Sequence, residues 1–166
     1  MKQIIKEAEF RGFFFADGCV SLHSRRTRNI YVRKDGTKAK DWHISHIVRV
    51  QITQRIDNLK LLEEYKDLFG GQIYLQRNVR KTGKYTHKPS AYWAVQKTDL
   101  CNKVLKILLD TQFTYRSIDA VKAAYEYTSW KLNRGLQKKL TDKDRQKVEE
   151  WLKRVKSAHQ YKEQQF

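Results

Sequence analysis

The chain is short of the residues that usually divide or anchor a protein. Pro89 is its single proline, and it has only seven glycines in 166 residues. Without a Pro/Gly/Ser-rich linker no domain boundary is drawn, and one domain over residues 1–166 is expected. Its two cysteines, Cys19 and Cys101, lie in different segments, with no Cys or His neighbour at metal-ligand spacing. That argues against zinc and implies only a reducing interior. No apolar run approaches the roughly 18 residues of a membrane span. Nor is there a signal-peptide core or a lipidation motif. The expectation is therefore an intracellular protein with no membrane partner. At this length a core can form without disulfides or a structural metal.

Acids are scarce as well: 18 Asp and Glu stand against 35 Lys and Arg, for a net charge of +17. Such an excess points to a polyanionic partner, nucleic acid first. The plain alternative is charge that serves solubility. Aromatic and amide side chains interleaved with the cations favour the partner.

Against this background the stretch GFFFADGCVSL, residues 12–22, is unusual. Its apolar run ends on a lone carboxylate, Asp17, just before an alternating segment begins. Ile4, Ile5, Ala8, Phe13, Phe14 and Phe15 predict a helix over 4–16, with Gly18 as its stop. Gly12 inside it is either a tolerated defect or a place where two helix backbones approach closely.

Residues 19–28 alternate, with Val20 and Leu22 on one face and Ser21, His23 and Arg25 on the other. Residues 27–41 read as a long basic loop. Residues 43–54 alternate again: Ile44, Val48, Val50 and Ile52 face one way, Ser45, Ile47, Arg49, Gln51 and Thr53 the other. The two strands form a hairpin. His43 and His46 fall on opposite faces, as surface or DNA-facing residues rather than metal ligands. A helix capped by Asp57 and stopped by Gly70 follows. A third strand over 72–80 turns Ile73 and Leu75 inward and Tyr74, Gln76 and Asn78 outward. A fourth over 90–97 turns Trp93 and Val95 inward, with Ser90, Tyr92 and Ala94 outward. Helices near 99–109, 117–133 and 142–160 complete the chain, with Gly135 closing the second and Thr141 capping the third.

The expected fold class is α+β, with a four-stranded, mainly antiparallel sheet. One sheet face packs on helices. The other carries Arg, Gln, His, Ser, Thr, Asn and Tyr, whose side chains suit base edges in the major groove of double-stranded DNA. An ordinary solvated sheet face is the alternative.

FRGFFFADG, residues 10–18, resembles the LAGLIDADG motif of homing endonucleases, and VQITQ, residues 50–54, resembles a segment at the end of the family's second strand. The order αββαββα followed by C-terminal helices matches the family fold over nearly the whole chain. One motif copy implies a homodimer, with Gly12 and Phe13 at the helix–helix interface. The resemblance implies that Asp17 and the Ala16 carbonyl bind a divalent metal, Mg²⁺ or Mn²⁺, with Ca²⁺ binding without supporting cutting. It implies that Gln54 orders water, although a polar strand end is the plain reading, and that Arg116 stabilises charge at the phosphate.

The motif is departed from at its start and at its first acid: Phe10-Arg11 replaces the initial Leu-Ala, and Phe15 replaces the acid. A further basic position of the family falls near Asn58, where Arg55 or Lys60 could substitute. The function implied is cutting of a long, nearly palindromic DNA site, leaving 3′ overhangs. Such proteins are encoded in introns or inteins and act in an organelle or a prokaryotic cytoplasm. The alternative is a non-cutting relative, either an intron RNA maturase or a DNA-binding regulator.

Overall fold

Helix α1 (Lys2–Asp17) forms because its aromatic residues recur at helical spacing. Phe10 and Phe14, four apart, share one face, and both are fully buried. In the computed structural model, which describes residues 2–76, 81–82, 85–86, 89–110, 118–136 and 139–159, these rings enter an aromatic cluster. The Phe10 centroid lies 5.1 Å from Tyr65, 4.5 Å from Phe69 and 5.7 Å from Trp93. Burying each such ring contributes about 1.5–3 kcal/mol. Arg11, which replaces an apolar motif residue, turns toward its own domain. Its Nη1 donates to the Asp110 carbonyl at 2.7 Å, at the end of α3, where a helix leaves carbonyls unpaired and favours cations.

The main sheet contains β1 (Gly18–Val32), β2 (Lys38–Arg55), β3 (Gln72–Gln76) and β6 (Ser90–Val95), in the order β1-β2-β6-β3, antiparallel throughout. Strands β4 (Lys81–Thr82) and β5 (Tyr85–Thr86) make a separate two-stranded ribbon. The expected strand 72–80 ends at Gln76 among the described residues.

The basic segment 27–41 is mostly strand rather than loop. The hairpin pairs continuously from Gly18↔Ile52 to Val32↔Lys38. Only residues 33–37 turn, where the Asp35 carboxylate accepts from the Thr37 N–H (2.9 Å) and hydroxyl (2.7 Å). Periodicity failed there because, among the described residues, no helix covers the far half of the hairpin. Ile30, Val32, Trp42 and Ile44 on its helix-side face stay exposed, so burial imposes no alternation. Ile44 and Leu75, expected inward, do face the helix side by register, but remain exposed beyond its cover.

Beneath the sheet lie α2 (Leu59–Phe69), α3 (Thr98–Leu109), α4 (Ile118–Arg134) and α5 (Asp142–His159). Asp57 does not cap α2. A 3₁₀ turn (Ile56–Asn58) precedes that helix, and Asp57 pairs with Arg55 at 2.5 Å instead. Thr141 does cap α5: its hydroxyl accepts from the Asp144 N–H at 3.2 Å, and Asp144 accepts from Thr141 in return. Gly135, at φ 93°, ends α4.

His46 does not belong to the solvent or DNA side. It sits half-buried toward α4, hydrogen-bonded to Ser24 at 2.9 Å. Its carbonyl accepts from the Tyr127 hydroxyl (3.0 Å) and Lys131 Nζ (3.1 Å), which ties the hairpin to α4.

Candidate nucleic-acid interface and acidic centre

Strand register sorts the outward side chains into rows. Ser21 sits opposite Arg49, His23 opposite Ile47, and Arg25 opposite Ser45. Cys19, Gln51, Ala94 and Gln72 form the next row across all four strands, then Thr53, Tyr92 and Tyr74, then Arg55, Ser90 and Gln76. The face therefore presents amides, hydroxyls and guanidiniums about one strand spacing apart. Several are held in place: Ser90 donates to Gln76 at 2.8 Å, and Tyr74 to Gln72 at 2.7 Å.

Arg49 lies at the middle of this face. Its guanidinium carbon is 5.3 Å from the Tyr92 ring centroid and 6.0 Å from that of Tyr74, whose rings stack at 4.9 Å. With the Gln96 amide turned so that its oxygen faces Arg49, that oxygen accepts from Nε and Nη2, both at 3.0 Å. The arginine is thus fixed along one edge and flanked by aromatic rings, an arrangement that lowers the entropy cost of each further bond it makes.

The acidic centre lies where α1 meets the sheet. Asp17 is the last residue of α1 and is exposed. Its Oδ2 accepts from Gln54 Nε2 at 2.6 Å, and Gln54 Oε1 accepts from Asn58 Nδ2 at 3.1 Å. Gly18 permits this junction by lacking a side chain rather than by a left-handed backbone. A β-carbon there would lie 2.3 Å from the Phe14 ring.

The donor set suits a hard divalent cation. Asp17 supplies a carboxylate, and the Ala16 carbonyl lies in the last helical turn, where no intrahelical donor reaches it. It is also a small set. Among the described residues no three His, Cys, Asp or Glu side chains gather around one point.

The strand-face residues expected to read DNA, Ser21, His23, Arg25, Ser45, Arg49, Gln51, Thr53, Tyr74, Gln76, Ser90 and Tyr92, all share the uncovered face. Asp17 and Gln54 are brought together. Asn78 and Arg116 lie outside the described residues. Gly12 is exposed, with nothing within 4 Å of where a β-carbon would stand, and Phe13 is half-buried with its ring 6.5 Å from Tyr65. Gln72 and Gln96 were missed. Extending the alternation one step back from Tyr74 reaches Gln72, and two steps on from Tyr92, past Ala94, reaches Gln96.

The opposite side carries a cleft of about 910 Å³ between the hairpin and α4–α5, lined among others by Trp42, Trp130, Lys131, Lys139 and Arg145. Trp42 is 52% exposed, with the Arg26 and Arg28 guanidiniums 4.5 and 5.6 Å from its ring. Burial lowers the pKa values of both Lys131 and His46; nearby Lys131 lowers His46 further, and Glu149 opposes.

An open four-stranded antiparallel sheet, sheathed by helices on one side and joined to a carboxylate at a helix end, defines the structural class. Within it, the chain belongs to the LAGLIDADG endonuclease family, whose model matches residues 10–127. Similar solved structures include I-SmaMI bound to an uncleaved DNA target with calcium ions. It is 16% identical, with a TM-score of 0.62 over 91% of this chain and 45% of that one. The homing endonuclease I-CvuI in complex with a DNA target and 2 mM Mg is 18% identical, with a TM-score of 0.57 over 98% and 87% of the two chains. The homing endonuclease I-TnaI is 17% identical, with a TM-score of 0.61 over 92% and 94%. The chain thus spans under half of I-SmaMI but most of the other two. At these identities the likeness is one of fold. No curated protein matches the chain by sequence.

Proposed function

We propose that this chain is a site-specific homing endonuclease, one domain over residues 1–166, that cuts both strands of a long, nearly palindromic duplex DNA. The observation that carries this is the placement of Asp17 at the margin of a cationic, hydrogen-bonding sheet face. Mg²⁺ or Mn²⁺, held by Asp17 and the Ala16 carbonyl, would polarise the scissile phosphate and lower the pKa of a water. Gln54, bonded to Asp17, orients water beside it. Arg116 contributes positive charge near the phosphate. The outward strand residues hold the duplex, with Arg49 on a guanine edge.

One carboxylate per chain is too little for two strands, which favours a homodimer with an Asp17 from each protomer. The exposed line of Ala8, Gly12 and Ala16 on α1, four residues apart, supports close helix pairing there. The protein would act inside the cell on DNA in an organelle or prokaryotic cytoplasm, from an intron- or intein-borne gene.

A second reading, intron RNA binding, is favoured by the cleft between the hairpin and α4–α5, where exposed Trp42, with Arg26 and Arg28 beside its ring, offers a stacking surface for an unpaired base. Digestion of a genomic DNA library with Mg²⁺, beside EDTA and Asp17→Asn controls, tests the main reading. Wild type alone should yield one recurring, near-symmetric cut site, while Asp17→Asn binds without cutting. Cutting by Asp17→Asn at the wild-type rate would remove the metal site from Asp17. Tight duplex binding with no cutting would move a non-cutting relative ahead, with an RNA splicing assay as the next test.

A further inference from the structure

The acidic centre holds a chain of two directed hydrogen bonds, and the direction has a single origin. An ionised carboxylate only accepts. Gln54 therefore bonds Asp17 through its NH₂ group, at 2.6 Å. That choice turns the Gln54 carbonyl the other way, where it needs a donor. Asn58 provides one, Nδ2 to Oε1 at 3.1 Å. Asn58 ends the 3₁₀ turn, four residues after Gln54, and its side chain serves Gln54 rather than capping α2.

Asp17 sets which end of the amide faces it; without the Asn58 donor the Gln54 carbonyl would bond mobile water, and the side chain would be tied at one end only. We propose, building on the endonuclease reading, that Asn58 is the positioning residue of the acidic centre. It anchors the carbonyl end of the Gln54 amide, whose NH₂ end Asp17 directs, so that Asp17 Oδ2 stays committed to Gln54 and the other carboxylate oxygen is left for a divalent cation. A neutral donor does this without adding positive charge beside the cation. The cationic partner nearest in sequence, Arg55, is held apart by Asp57 at 2.5 Å.

The test compares Asn58→Leu, which keeps the size and removes the donor, with Asn58→Gln, which keeps an amide donor. Two readouts are taken. The first, without metal, is the pair of side-chain amide proton signals of Gln54 by NMR, assigned with Gln54→Glu. The second is the Mg²⁺ concentration at half-maximal cutting of the protein's own site. In Asn58→Leu the two Gln54 signals should collapse toward free-amide positions, and the Mg²⁺ requirement should rise roughly tenfold, as for other outer partners of metal ligands. Asn58→Gln should restore both, with thermal unfolding unchanged in each variant. Unchanged Gln54 signals in Asn58→Leu would overturn the proposal, as would collapsed signals that Asn58→Gln fails to restore. The signals are read without metal or DNA, so a protein that cuts nothing fails the endonuclease reading alone and leaves the Asn58 orientation decided by NMR.

Discussion

The ring of Phe14 closes over Gly18, so that a β-carbon at Gly18 would lie 2.3 Å from Cδ2 and 2.5 Å from the Phe14 carbonyl oxygen. This contact sets how α1 runs into β1, and with it where Asp17 stands. One clashing atom belongs to the backbone, so ring movement alone does not relieve it.

Gly18→Ala should therefore destabilise the protein by about 1–3 kcal/mol, measured by urea unfolding, and reduce cutting in the protein that remains folded. A variant of wild-type stability and activity would show that the junction yields more easily than this contact implies.

Gly12 gives the opposite expectation. Nothing lies within 4 Å of the position of a β-carbon, and a larger residue relieves the backbone freedom of a helical glycine, worth roughly 0.5–1 kcal/mol. Gly12→Leu should leave the protomer as stable as before or slightly more so, while sedimentation velocity shows loss of the dimer. A Gly12→Leu protein that still sediments as a dimer would place the interface elsewhere.

Arg49 is held by Gln96 and flanked by Tyr92 and Tyr74. Arg49→Ala should weaken binding by about 1–3 kcal/mol and relax preference at one base pair, as expected for a guanine contact. Gln96→Ala should have the same direction and a smaller size. Binding titrations on a site randomised one position at a time would measure both. Loss that is equal at every position would make Arg49 a phosphate contact instead.

His46 makes stability depend on pH. Burial, with Lys131 nearby, lowers its pKa below the ordinary 6.5 in the folded protein. The unfolded chain therefore binds this proton more readily. The contribution of neutral His46 is fully present above about pH 6.5 and is lost as pH falls through the folded value. Denaturant midpoints should fall from pH 7 toward pH 5, and His46→Gln should flatten that part of the curve. An unaltered slope would assign it to other groups. The paired carboxylates Glu126 and Asp144, whose pKa values are held down by Arg154 and Trp151 and by Thr141 and Arg134 respectively, lose their contribution only at lower pH.

By itself the sequence determined the order of the main elements, the buried faces and the place of Asp17 at the end of the first helix. Where a strand or helix packs on a core, burial forces a period of two or 3.6, and residues such as Val20, Val48, Val50 and Trp93 record it. The same parity carried the outward set from Ser21 to Tyr92. Beyond the core that record stops. The far hairpin carries charge on both faces, so its pairing is set by backbone hydrogen bonds that leave no periodic trace, and a loop was expected where strands stand. Asp57 has the chemistry of a cap, and only the 3₁₀ turn withheld that role. The sequence contains Asp17, Gln54 and Asn58 without any sign that their side chains would bond in one line. Tertiary structure decided that, because hydrogen bonds between residues 37 apart depend on angles and distances set by the packing of α1 on the sheet, which no local pattern encodes.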